Sequence, residues 1–159
     1  MSFDTVRWHF YIGYLILGLM AFRIFWGFAG PAPVRFTYLI PTPSALMRNL
    51  KSFSQREPGG TPGHNPLGSI SVLAMLVIFI AQGFTGLFIE TEDFFEYGPL
   101  NGYVSEDTAK SMLGWHHFFA KLVLALVILH IAAILYYLLW KKENLIKPMI
   151  NGWKWVRRK

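Results

Sequence analysis

The sequence predicts an all-α integral-membrane protein: a helical bundle with three transmembrane helices, joined and followed by short interfacial helices. Three observations predict it. Apolar stretches at about residues 8–28, 67–89 and 115–140 each reach the roughly 20 residues needed to cross the hydrocarbon of a bilayer. Only 15% of the 159 residues are charged and 53% are hydrophobic, whereas a soluble domain carries about 25% charged residues. The charges that do occur gather in the connections, with opposite signs on opposite sides. The length suits one membrane-embedded domain over residues 1–159.

The first span, Trp8 to Phe28, holds one charge, Arg23, and is stopped by Gly30-Pro31-Ala32-Pro33. No small-residue cleavage site follows it, so no removable leader is expected. Residues 34–66 form a polar, basic connection. Within it Leu46, Leu50 and Phe53 recur at helical spacing beside Arg48 and Lys51, the pattern of a short helix lying on a membrane surface. A Gly/Pro loop containing His64 follows. The second span, Leu67 to Ile89, carries no charge. Its segment Gln82-Gly83-Phe84-Thr85-Gly86 is small and polar enough for a helix contact or a haem edge. The connection 90–113 is acidic, with turns at Gly98-Pro99 and Asn101-Gly102, and Ser105-Glu106-Asp107 is placed to open a short helix. The third span runs from Trp115 to Trp140. The tail mixes Leu145, Ile146, Ile150, Trp153 and Trp155 with basic residues and reads as a second interfacial segment.

Charge orients these spans. The 34–66 connection carries Arg35, Arg48, Lys51 and Arg56, and the tail carries seven Lys and Arg from Lys141 to Lys159. The 90–113 connection sets one base, Lys110, against six acids. The positive-inside rule places the first two in the cytoplasm and the third outside, giving an outer N-terminus and a cytoplasmic C-terminus. The net charge of +6 then belongs to anionic membrane lipids rather than to nucleic acid. The absence of cysteine excludes disulfides, iron–sulfur clusters, thiolate catalysis and covalent c-type haem.

Histidines in the spans carry the chemistry. His116 and His130 are 14 residues apart on one helix, which places them about 21 Å apart along the axis and about 40° apart around it. His117 is 13 residues from His130 and falls about 140° away. Helix geometry therefore selects His116, and two inward histidines so spaced suit two haems, one near each side of the membrane. His9 starts the first span at the depth of His116, and Arg23 shares its face 14 residues on. Gly13 lies one turn beyond His9, where a glycine leaves room for a flat ligand or for close helix packing. His9 and His116 can hold one haem iron from opposite faces, which makes an electron carrier with no open position for a substrate. Inside, His130 and Arg23 mark a second site with one histidine, and Arg23 suits haem propionates or inner headgroups.

The stretches His9-Phe10-Tyr11-Ile12-Gly13-Tyr14 and Phe22 to Pro31 resemble the bacterial di-haem cytochrome b family, which includes the b-type cytochrome subunit of NiFe-hydrogenases. So do Gly63-His64-Asn65-Pro66-Leu67-Gly68, Gly83-Phe84-Thr85-Gly86, Gly98-Pro99-Leu100, His116 with His130, and Glu143-Asn144-Leu145. The resemblance covers nearly the whole chain. It implies four transmembrane helices, two b haems, and electron transfer between a quinone pool and a periplasmic cytochrome or oxidoreductase subunit. It places outer-haem ligands on His9 and His116 and one inner-haem ligand on His130, and leaves His64 and His117 as non-ligands.

One departure shapes the expectation. The family's first helix, with the second inner-haem ligand, precedes the position of His9, and here eight residues precede it. The chain thus resembles the last three helices of four. Either the first helix has been lost or is supplied by another chain, or the protein has three helices and one complete haem site. The functional expectation is a haem b electron-transfer subunit of a respiratory oxidoreductase. The alternative is a non-redox anchor or assembly subunit for a peripheral enzyme. A transporter is disfavoured because no span is broken at its middle.

Overall fold

The computed structural model describes residues 3–55, 65–91 and 96–151. It is helical, with three helices long and apolar enough to cross a membrane. These are α1 (Phe3–Ala29), α4 (Pro66–Gly86) and α5 (Glu106–Leu139); the short helices are α2 (Phe36–Leu39), α3 (Pro43–Lys51) and α6 (Ile146–Asn151). Among the described residues the only sheet is a ladder of two-residue strands, Glu90–Thr91 against Glu96–Tyr97. His64, Arg56, Trp153 and Trp155 lie outside the described residues.

Two boundaries differ from the expectation. The second span ends as a helix at Gly86 rather than Ile89, because Leu87 and Phe88 turn back on tighter bonds to Phe84 and Thr85. The third helix starts at Glu106, so the short helix expected at Ser105 is its first turn. The Ser105 hydroxyl accepts from the Thr108 amide at 3.3 Å and caps that end. Glu106 and Asp107 add negative charge where the helix dipole favours it. Lys110, one turn on, bonds Glu106 at 2.7 Å.

The chain divides into two compact units. The first comprises Met1–Trp26 and Met75–Leu124. In it α1, the end of α4 and the start of α5 are joined through the turn after α4. Gly98 and Leu100 donate back to Ile89 and Leu87 at 2.8 and 2.9 Å, and the Asn101 side chain donates to Phe88 at 3.0 Å. A Cβ on Gly98 would strike the Leu87 carbonyl, so this close backbone approach requires glycine.

The second unit comprises Gly27–Ala74 and Ala125–Lys159. Here Pro31 to Pro33 break α1, and the Arg35 guanidinium donates to Gly30 at 2.6 Å across the break. Thr42 caps α3 by accepting from Ala45. The last turn of α5 and the two residues after it then capture three consecutive carbonyls after α3. Lys141 donates to Ser52 at 3.0 Å, Tyr136 to Phe53 at 2.6 Å and Trp140 to Ser54 at 3.4 Å. The Phe53 and Tyr136 rings stack at 4.7 Å.

The long helices turn large apolar side chains outward, among them Phe22, Phe25, Val77, Leu124 and Ile128. In water that would be a liability; in hydrocarbon it is the favourable surface, and the backbone is satisfied within each helix. The less exposed stripe of α5 follows helical period. It includes Met112, His116, Phe119 and Val123 in the first unit, and Val127, His130, Ile134 and Tyr137 in the second.

Candidate functional site

The site is built in the first unit from three helices. On α1, His9 and Gly13 are one turn apart, with Phe10, Tyr14 and Leu17 beside them. Gly83 and Gly86 of α4, Leu87 and Ile89 after it, and His116 of α5 complete the wall. The cleft has a volume of about 350 Å³, including its open side. The His9 and His116 rings meet edge-on, with centroids 6.0 Å apart and planes at 77°.

Two glycines bring α4 flush against its neighbours. A Cβ on Gly86 would sit 3.0 Å from His116 Cε1, and one on Gly83 would lie 2.5 Å from Leu17 Cδ2. A Cβ on Gly13 meets nothing within 4 Å, so no neighbouring helix packs tightly against it.

Hydrogen bonds orient His116. Its Nδ1 lies 3.0 Å from the Gln82 carbonyl. A carbonyl only accepts, so Nδ1 carries the ring proton and Nε2 keeps its lone pair. The Gln82 side-chain nitrogen lies 2.9 Å from that Nε2 and donates to it. In this arrangement Gln82 Oε1 is buried without a hydrogen-bond partner, a cost of about 1–3 kcal/mol. A metal ion and the Gln82 amide compete for one lone pair.

The donor set fits a haem better than a bare ion. Among the described residues no group of three or more His, Cys, Asp or Glu side chains is placed to hold a metal. Two imidazoles need a ligand that brings its own equatorial donors, as a porphyrin does. Two metal–imidazole bonds of about 2 Å, with about 1 Å from each nitrogen to its ring centre, span about 6 Å, which is the separation of these rings. The protonated Nδ1 bonded to a carbonyl is also the usual outer partner of a metal-bound histidine.

The structure thus brings together His9, Gly13 and His116. His117, adjacent to His116, is exposed, whereas His116 is half-buried. Arg23 is half-buried on α1 in the first unit and does not line the cleft. His130 is half-buried on α5 in the second unit. The segment Gln82 to Gly86, read from sequence as a helix contact or a haem edge, also supplies hydrogen bonds to His116 from Gln82 and Thr85. The polar residues spaced three apart, alternating with two glycines, were the available signal.

Long apolar helices around a paired-imidazole cleft define a class, membrane proteins whose site suits a haem. Residues 1–152 match the prokaryotic cytochrome b561 family, and the chain belongs to that family. It is 25% identical over 158 residues to a "Probable Ni/Fe-hydrogenase B-type cytochrome subunit" of Rhizobium leguminosarum bv. viciae, covering 91% of this chain and 66% of that relative. Proteins of the same description from Azotobacter chroococcum mcd 1 and Azotobacter vinelandii are 25% and 24% identical, each over 92% of this chain and 66% of the relative. The chain therefore spans about two thirds of the length of these relatives. No solved structure matches.

Proposed function

We propose that the chain is a membrane b-type cytochrome subunit that carries electrons between a quinone pool and a periplasmic oxidoreductase, with His9 and His116 as the axial ligands of one haem b. The observation that carries this reading is the 6.0 Å separation of the two imidazoles inside an apolar cleft. Haem b, when bound, supplies one-electron redox chemistry. The protein's part is to hold and shield it. His9 and His116 would hold the haem iron between them and leave it no place for oxygen or substrate. Gly13 leaves the α1 backbone bare beside the ring, and Phe10, Tyr14, Leu17, Leu87 and Ile89 keep water off it.

His130 is proposed as one ligand of a second, inner haem, which another helix or chain would complete. The membrane is the bacterial inner membrane, with the N-terminus periplasmic. The relatives' names support a hydrogenase-type oxidoreductase as the partner. The visible spectrum of the purified chain tests the reading. Sharp bands of a reduced low-spin haem are expected, and a haem-free chain from haem-replete cells would leave the membrane-anchor alternative.

A further inference from the structure

Thr85 is 5% exposed on a membrane-spanning helix. Its hydroxyl oxygen lies 2.9 Å from the Ala81 carbonyl and 3.0 Å from the Gln82 carbonyl. Both only accept, so the single hydroxyl proton is donated to one of them. The oxygen then has lone pairs to offer, and the Nδ1–H of His116 lies 3.2 Å away. That proton therefore sits between two acceptors, Gln82 O at 3.0 Å and Thr85 Oγ1.

The arrangement depends on close approach. Gly86, the next residue, lets the ring rest against the α4 backbone, since a Cβ there would crowd Cε1 at 3.0 Å. A threonine in a membrane helix commonly bonds back to the carbonyl four residues earlier, and the bond to Ala81 does that. The second contact, to the imidazole on another helix, is not needed for it.

Resting on the haem reading above, we infer that Thr85 is a positioning residue: its hydroxyl helps fix His116 with Nδ1 protonated, so that Nε2 keeps the lone pair a metal would take in place of the Gln82 amide, and it strengthens the imidazole as an electron donor. Two acceptors on Nδ1–H draw that proton outward and leave more electron density on the ring. A richer ligand favours ferric over ferrous iron and holds the potential down. Removing one acceptor therefore raises the potential.

The test uses Thr85→Val, which keeps the shape and deletes the hydroxyl, and Thr85→Ser, which restores the oxygen. Optical redox titration of the detergent-solubilised, haem-loaded chain is the first readout. In Thr85→Val the ferrous-to-ferric ratio at fixed potential rises up to about tenfold, about 59 mV for one electron, and Thr85→Ser returns towards the unmutated chain. The second readout is the ¹⁵N spectrum of ring-labelled histidine in the haem-free chain, where Thr85→Val and Thr85→Ala shift His116 Nδ1 and Thr85→Ser does not. This readout decides the matter if Thr85→Val loads no haem. Unchanged potential and unchanged Nδ1 in the valine variant overturn the role of Thr85 and leave the ligand assignment standing. An unmutated chain that takes up no low-spin haem overturns the ligand assignment itself.

Discussion

His116 and His117 are neighbours in sequence and meet different surroundings. The first is half-buried and bonded to Gln82, and the second is exposed. His9→Ala and His116→Ala are expected each to abolish the low-spin signal of the haem they share, with His117→Ala leaving it intact; electron paramagnetic resonance of the three variants checks this. Loss of that signal in His117→Ala alone would refute the assignment. Gly13 gives a second check, because a Cβ there meets nothing within 4 Å. Gly13→Ala favours the α1 helix by up to about 1 kcal/mol. Gly13→Leu fills the cleft and should cut haem affinity about tenfold or more, within the range for changes around a metal site. Haem titration with helicity followed by circular dichroism separates the two effects. That His116 rather than His117 is the less exposed of the two was legible in the sequence because one helix has one period. The contacts of Gln82 and Thr85 with His116 were not, because helical period says nothing of the rotation of α4 relative to α5.

At the scale of elements, the three long helices were legible because hydrocarbon sets both their length and their composition. The start of α5 was not, since its first turns are polar and carry no apolar run to mark them as continuous with the membrane span. Nor was the capture of the Ser52, Phe53 and Ser54 carbonyls by the last turn of α5 and the two residues after it, which joins residues more than 80 positions apart. Lys141 is the strongest of these contacts: it is 3% exposed, donates to Ser52 and lies 5.6 Å over the Tyr137 ring. Lys141→Met keeps the stem and removes the donor. A charge-assisted bond is worth about 1.5–3 kcal/mol, so amides at the end of α3 should exchange with deuterium at least about tenfold faster. Unchanged exchange there would mean that stacking of Phe53 on Tyr136 suffices.

For the whole molecule, the charge distribution predicts that single cysteines at Tyr103 and Gln55 label from opposite sides of intact cells, with residue 103 reached by an impermeant outer reagent. Labelling of both from outside would reverse the assigned orientation. On the proposed reading His9 and His116 would complete one site and His130 would offer a single histidine to another, so about one firmly held haem b per isolated chain is expected. Pyridine haemochrome absorbance against amino-acid analysis measures the ratio; two low-spin haems in a monomeric preparation would show a sixth-position partner for His130. The pairing of His9 with His116 also has a consequence for biogenesis. His9 is made first and His116 last, and at about 5–20 residues per second the roughly one hundred residues between them take between about 5 and 20 s to synthesise. On the proposed reading, haem capture between the two imidazoles would wait for the third span to enter the membrane, with insertion first and loading afterwards.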